Sequence, residues 1–271
     1  MVDVLIREIS NKRKYYVDLV TKGSCSYCGM DKELEGRELV LKCSVTNSFE
    51  NEKAILTGLD HKNIVKMVSS YKNMMYFEPC YGGTLGEKYL GGSKILATFT
   101  NVCLHLRDIM SALDYLHAND IAHLDIKPDN CLLQNGEVKL SDFDLAQRWD
   151  RHGNCRIRQC CLPMSPSEIG TSFITGFTNV NGSKADIWSA GAVMLMIITR
   201  RLPWLCAKDS EKDYIDWVNE TPDGRLVKTL SERSPNFPEL MRFILKHAPE
   251  SRPTASQVLE KVNDFLEKQQ G

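Results

Sequence analysis

The sequence predicts an α+β fold in which a small sheet carrying one helix is followed by a larger, mainly helical region. Three observations predict it. Up to about residue 80, short runs rich in β-branched and aromatic residues alternate with turn signals. A Pro-Gly cluster, Pro79-Cys80-Tyr81-Gly82-Gly83, ends that texture. Beyond it, apolar residues recur mainly at helical spacing.

Taken in order, the expected strands are 15–20, 26–30, 39–45, 64–69 and 74–78. Between the third and fourth, 47–56 reads as a helix with an Asn or Ser cap and apolar Phe49, Ile55 and Leu56. After the Pro-Gly cluster, 101–119 places Val102, Leu106, Ile109, Met110, Leu113 and Leu116 on a helical stripe. Residues 186–199 are apolar on nearly every face, as in a buried central helix. Short strands are expected around 131–133 and 138–140. No internal repeat or low-complexity tract interrupts the 271 residues.

With 34 Lys plus Arg against 35 Asp plus Glu, the formal charge of −1 gives no global pull toward nucleic acid or anionic membranes. The longest apolar run, 190–198, falls short of the roughly 18 residues that cross a bilayer. The opening Met1-Val2-Asp3-Val4-Leu5-Ile6-Arg7-Glu8 lacks a signal-peptide layout, so an intracellular chain with no direct nucleic-acid or membrane partner is expected. The ten cysteines are scattered and read as free thiols. Cys25 and Cys28 alone have metal-ligand spacing, and without a second ligand pair they read as packing rather than zinc; adjacent Cys160 and Cys161 read as structural.

The most informative stretch is His123-Leu124-Asp125-Ile126-Lys127-Pro128-Asp129-Asn130, followed by Leu140-Ser141-Asp142-Phe143-Asp144. It resembles the eukaryotic-type protein kinases, with their H-R-D-x-x-x-x-N catalytic loop and D-F-G metal loop. Further matches occur in family order: Leu39-Val40-Leu41-Lys42, the helix segment Asn51-Glu52-Lys53-Ala54-Ile55-Leu56, Asp186-Ile187-Trp188-Ser189-Ala190-Gly191, Leu202-Pro203-Trp204 and Ser251-Arg252-Pro253-Thr254. Singly, each of these charged residues reads as a solvated side chain, a turn residue or a cap. Together they point to a nucleotide site.

The resemblance implies a bilobal kinase fold spanning 1–271 as one domain, with an antiparallel N-lobe over 1–78, a hinge over 79–83 and a C-lobe over 84–271. It implies ATP with Mg²⁺, Mn²⁺ being an alternative. Lys42 would contact the α and β phosphates, positioned by Glu52. Asp142 and Asn130 would hold the metal as hard oxygen ligands. Asp125 would orient the substrate hydroxyl and accept its proton, and Lys127 would neutralise the transferring phosphoryl group. Cys28, Val40 and Leu132 would sandwich adenine, the backbone of Glu78 and Cys80 would bond its edge, and Gly23 would remain from the phosphate loop. His123, Phe143, Leu56 and Met67 match a stacked core column standing on Asp186, and Glu168 with Arg252 matches a buried ion pair.

Departures are equally specific. Thr21-Lys22-Gly23-Ser24-Cys25-Ser26-Tyr27-Cys28 keeps only the middle glycine of G-x-G-x-x-G, which reduces backbone freedom over the phosphates. Asp144 replaces the glycine of D-F-G and adds a carboxylate near the metal. Leu124 replaces an arginine that grips activation-segment phosphate in many relatives, and Cys161 stands where a threonine is usual.

The function expected is a Ser/Thr protein kinase acting on protein substrates. A pseudokinase serving as a binding module is the alternative that the loop and Asp144 raise, and a small-molecule phosphotransferase is disfavoured by Lys127 and the R-P-T element. The ten-residue step from Lys42 to Glu52 and the minimal length are similar to compact viral kinases, baculovirus late protein kinases among them. That resemblance implies basic viral structural proteins as substrates and a host cytoplasmic or nuclear setting. Homodimerisation is left open.

Overall fold

A computed structural model describes residues 15–21, 24–31, 37–44, 47–90, 92–157, 162–170 and 178–269. Strands β1 (Tyr15–Thr21), β2 (Ser24–Asp31), β3 (Arg37–Ser44), β4 (Met67–Tyr71) and β5 (Met74–Phe77) form one antiparallel sheet in the order β1-β2-β3-β5-β4. Side chains alternate across a strand, so buried Leu39 and Leu41 occupy one face of β3 and leave Val40 and Lys42 on the other.

Helix α1 (Asn47–Leu56) joins β3 to β4 over the span expected from the sequence. Phe49, Ile55 and Leu56 are 1%, 4% and 3% exposed, and Glu52 lies one turn from Phe49 on the same buried face. That placement takes a carboxylate into the interior, where it needs a partner.

The fourth strand differs from expectation. It begins at Met67 because Ile64 and Val65 pair elsewhere: Ile64 bridges Leu140, and the Val65 amide donates to the Leu140 carbonyl at 3.0 Å. Their β-branched character is satisfied by the strand leading to Asp142, not by the small sheet.

Helix α2 (Leu85–Tyr89) opens on a capping box in which the Thr84 hydroxyl accepts the Glu87 amide and the Glu87 carboxylate accepts the Thr84 amide. Helix α3 (Phe99–Ala118) starts two residues before the expected point because the Thr98 hydroxyl caps it, accepting the Asn101 amide at 3.2 Å. All six residues of its expected apolar stripe have no exposed area. Strand β6 (Ile121–Ala122) follows, then a 3₁₀ turn at Pro128–Asn130 and the hairpin β7 (Cys131–Gln134) and β8 (Glu137–Leu140). Asn135 and Gly136, at φ 54° and 88°, make the positive-φ hairpin turn.

Beyond Asp142, β9 (Gln147–Arg148) pairs with β6, and β10 (Asn154–Ile157) pairs with β11 (Thr178–Asn181). None of β6, β9, β10 or β11 is signalled by the sequence, since runs of two to four residues carry no period. Helix α4 (Ser167–Gly170) lies between β10 and β11. Helix α5 (Gly182–Thr199) starts four residues before the expected point, with Asn181 accepting the Lys184 amide at 3.1 Å. It is buried on nearly every face, as expected. Helices α6 (Lys212–Val218), α7 (Arg225–Arg233), α8 (Asn236–Ile244) and α9 (Ala255–Glu267) complete the helical part. The ring of Phe99 packs edge-on against Phe237 and Phe265, 5.1 and 5.2 Å between centroids, which ties α3 to α8 and α9.

Candidate active site

Strand β3 and helix α1 bring Lys42 and Glu52 together. The Lys42 Nζ donates to Glu52 Oε1 at 2.9 Å, to Asp142 Oδ1 at 2.8 Å and to Asp144 Oδ1 at 3.1 Å. Lys42 is 9% exposed and Glu52 1%. Burial opposes the charge on Lys42, but the pull of Glu52, Asp142 and Asp144 outweighs it and raises the ammonium's pKa. For Glu52 the largest influence is burial, which raises its pKa; Lys42 pulls it down, and contact with Asp144 pushes it up. The Asp144 carboxyl is lowered: burial opposes this, and the hydrogen bond with Glu52 and the charge of Lys42 prevail.

Glu52 also accepts the Phe143 amide at 3.1 Å, while the Asn51 side-chain amide donates to the Ala146 carbonyl at 2.8 Å. Two successive residues of α1 therefore hold the backbone after Asp142. Asn51 carried no functional signal in the sequence, because its role depends on where the distant 142–146 segment lies.

The second group belongs to the loop between β6 and β7. Lys127 Nζ donates to Asp125 Oδ2 at 2.6 Å, and Asn130 Nδ2 donates to the same oxygen at 2.9 Å and to the Asp125 carbonyl at 2.8 Å. Asp125 is thus held by two side chains of its own loop. Asn130 spends its amide nitrogen on Asp125, which leaves Oδ1 as the atom able to meet a metal. Behind the loop, the His123 ring packs 4.6 Å from the Phe143 ring and is fully buried. His123 Nε2 lies 3.0 Å from the Ser141 carbonyl and Nδ1 accepts the Asp125 amide at 3.3 Å. Those partners fit the neutral Nε2–H tautomer of a packed histidine. Leu56 is buried and Met67 half-buried in the same core. Asp186, without exposed area, accepts the amides of His123 and Leu124 at 2.9 and 2.8 Å. Glu168 and Arg252 form the expected ion pair, at 2.6 and 2.8 Å.

Val40, Cys80 and Leu132 are half-buried and pack against the main core, while Glu78 is exposed and its amide donates to the Lys66 carbonyl at 3.0 Å. Cys28 pairs in register with Val40 through the backbone; its side chain, and Gly23 altogether, lie outside the described residues. Arg158, Cys160 and Cys161 lie outside them as well. A cavity of about 210 Å³ lined by Lys66, Glu78, Pro79, Cys80, Tyr81 and Lys139 adjoins the Pro-Gly segment; it includes the two residues expected at the adenine edge and does not reach Lys42, Asp125 or Asp142.

The protein kinase domain model matches residues 32–262. The chain belongs to the protein kinase family. Among curated proteins, this kinase domain is similar to mitogen-activated protein kinase kinase kinase 3 of Arabidopsis thaliana, 31% identical over 85% of this chain and 39% of that protein. It is also similar to serine/threonine-protein kinase chk-1 of Caenorhabditis elegans, 27% identical over 75% of this chain and 40% of the relative. A putative serine/threonine-protein kinase of Acanthamoeba polyphaga mimivirus is 31% identical over 76% of this chain and 75% of its own length. The kinase domain thus spans about two fifths of the plant and nematode relatives and three quarters of the viral one. No helix among the described residues is long and apolar enough to cross a membrane.

Proposed function

We propose that this chain is a Mg²⁺-ATP-dependent Ser/Thr protein kinase, with lobes over 1–78 and 84–271 joined by a hinge over 79–83. The observation that carries the reading is Lys42, held at once by Glu52 and Asp142, each within 2.9 Å. Phosphoryl transfer calls for a cation at the phosphates, a metal carboxylate beside it and a positioned acceptor. Lys42 supplies the first and Asp142 with Asn130 the second, their hard oxygens suiting Mg²⁺. When bound, the metal draws charge from the phosphates.

Asp125 then orients the acceptor hydroxyl and takes its proton, while Lys127, already 2.6 Å from the Asp125 carboxylate, offers positive charge where the phosphoryl group passes. Half-buried Val40 and Leu132 enclose adenine, its edge bonded by the backbone of Glu78 and Cys80; the family resemblance adds Cys28 to this pocket and Gly23 to the phosphates, although Gly23 and the Cys28 side chain lie outside the described residues. Exposed Asp129 favours basic residues near the phosphoacceptor, weakly, because half-buried Met196 and the capping residue Thr84 bring no further acid. The mimivirus relative supports a viral origin, with which basic viral structural proteins as substrates and a host cytoplasmic or nuclear setting would go.

Transfer of label from ATP to the protein itself or to mixed peptides, compared with an Asp125→Asn control, tests the reading. Labelled Ser or Thr that disappears in the control is expected; no label from the wild type overturns it in favour of a pseudokinase, the reading that Asp144 beside Lys42 supports.

A further inference from the structure

Helix α5 ends at Thr199, and the next residue, Arg200, has φ 56°, the left-handed conformation that glycine takes at least cost after a helix. Its amide donates to the Met196 carbonyl at 2.8 Å, while its guanidinium donates to the Ser93 carbonyl. One strained residue thus ties the turn after α5 to the segment that follows α2, across 107 positions of sequence.

The two segments so joined gather exposed apolar side chains. Ile95 and Leu96 in one and Leu202 in the other are 52%, 51% and 40% exposed, and Leu205 just beyond is 65% exposed. Among the described residues these are four of the eight large apolar side chains left open to solvent, a concentration that marks an interaction surface rather than scatter. Cations stand beside them. Lys94 precedes Ile95 and Arg201 precedes Leu202; both are exposed, and neither has a carboxylate partner among the described residues. The acids nearby are occupied: the Glu87 carboxylate accepts the Thr84 amide, Asp213 accepts twice from Arg225 at 2.9 Å close to the Pro203 carbonyl, and Asp209 has Lys208 as its neighbour in the chain. With Arg200 as a third cation, the patch is apolar and positive.

Its complement is a protein segment in which Leu or Ile alternates with Asp or Glu. Single-stranded nucleic acid calls for exposed aromatic rings on which bases stack, and the one aromatic residue of the two segments, Trp204, is 3% exposed. An interfacial lipid anchor is ordinarily one amphipathic helix, whereas residues 93–98 and 200–205 are not helical. The patch is also close to the proposed catalytic carboxylate. Lys94 follows the end of α2 by five residues, and α2 starts against the loop that carries Asp125: a Cβ on Gly86 would lie 3.3 Å from Asp129 Oδ1.

We propose that Lys94, Ile95, Leu96, Arg200, Arg201 and Leu202 form a docking site for an acidic, Leu- or Ile-bearing segment of a protein substrate, separate from the segment that presents its hydroxyl. The inference deepens the kinase reading and rests on it for the occupant being a substrate. Such a substrate carries basic residues near the phosphoacceptor, facing Asp129, and acidic ones farther along, facing the patch.

The test uses fluorescein-labelled peptides in which Glu or Asp alternates with Leu or Ile at graded spacings, titrated against the full chain without nucleotide and followed by fluorescence anisotropy. At least one is expected to bind, with affinity about tenfold lower in Lys94→Glu/Arg201→Glu and in Ile95→Ser/Leu202→Ser, thermal melts verifying the fold. Replacing the acids of that peptide by lysine is expected to abolish binding to the wild type and to restore it to the charge-reversed protein, a swap that a damaged fold does not produce. A wild type that binds none of these peptides overturns the proposal, as does one that prefers phosphatidylserine vesicles or single-stranded RNA to all of them. Label transfer from ATP is assayed in parallel on a Ser peptide with and without the bound segment, joined by flexible linkers of graded length. Joining is expected to lower KM about tenfold at unchanged kcat in the wild type but not in the charge-reversed protein. Transfer that the segment never improves refutes the docking site and leaves the kinase reading intact. Binding of the segment without label transfer to any peptide refutes the kinase reading, and with it the assignment of the occupant as a substrate.

Discussion

Asp186 Oδ1 accepts the amide of Leu124 at 2.8 Å, across 62 residues of sequence, and this bond holds the loop after β6 at a residue of positive φ. Leu124 has φ 63°, a left-handed conformation that costs a leucine roughly 1–2 kcal/mol. The other Asp186 oxygen takes the His123 amide at 2.9 Å and lies 3.0 Å from His117 Nε2. Removing the carboxylate strands two buried amides, so Asp186→Ala is expected to lose about 2–4 kcal/mol of stability. Asp186→Asn, which keeps one acceptor oxygen, is expected to lose less. Urea midpoints at unchanged m-value measure both, and an alanine variant as stable as the wild type would contradict the role given to this bond.

Lys42→Met is expected to reduce phosphoryl transfer by about 10²–10³-fold or more, the scale of losing one preorganised electrostatic group. The methionine stem still packs on the face of β3. Glu52, left without its ammonium, takes up a proton readily because burial already raises its pKa, so the protein is expected to remain folded. Circular dichroism together with turnover checks this. Undiminished turnover would remove Lys42 from the machinery.

Stability is expected to fall as pH drops from about 6.5 toward 4, in part through His105. Burial, helped by the charge of Lys88, lowers this imidazole from 6.5 to about 4, and Nε2 lies 3.0 Å from the Tyr89 hydroxyl. A depressed folded pKa means that the unfolded chain binds the proton first as pH falls, which favours unfolding. The effect is bounded at about 3 kcal/mol. His61, also lowered by burial and neighbouring lysines, acts in the same direction. His105→Gln keeps a hydrogen-bonding group without titrating, and its stability-against-pH curve is expected to be flatter between 4 and 6.5. A curve parallel to the wild type's would assign the dependence to other groups.

Where pattern and packing coincide, the sequence was readable. The stripe from Val102 to Leu116 and the 47–56 helix follow helical spacing, and both bury the residues that spacing selects. The order of motifs along the chain points to Lys42, Glu52, Asp125, Lys127, Asn130 and Asp142, and the fold gathers them into two hydrogen-bonded groups. Ile64 and Val65 misled because β-branched residues suit any strand-like pairing, and theirs is with Leu140. The reach of Asp144 to Lys42 and of Asn51 to Ala146 depends on tertiary placement that no local pattern encodes. Strands β10 and β11 escaped notice for want of alternation over four residues each.

The segment after Asp142 is expected to hold its working shape without phosphorylation. Leu124, in place of a phosphate-gripping arginine, is 9% exposed in an apolar cluster with Ala122, Cys155, Ile157, Ile169, Val180 and Ala185. These residues come from β6 and the loop after it, from both strands of the β10–β11 pair, from α4 and from the start of α5, so the cluster ties the segment down by packing. Gly182 marks how closely the parts approach: a Cβ there would lie 2.7 Å from the Ala122 Cβ and 2.8 Å from the Cys155 Sγ. Between 145 and 168 the only hydroxyl side chains are Ser165 and Ser167, and Ser165 is 5% exposed. Of the other residues expected to order the segment, Met164 is buried in the main core, while the Leu162 side chain lies outside the described residues. Protein made in bacteria, stripped by a broad phosphatase and shown by intact mass to carry no phosphate, is expected to keep its activity. Leu124→Arg places an unpaired guanidinium in the cluster and is expected to lower the melting temperature while restoring no dependence on phosphate. A stripped wild type that is inactive and recovers on rephosphorylation of the segment would show that charge, rather than this apolar cluster, orders it.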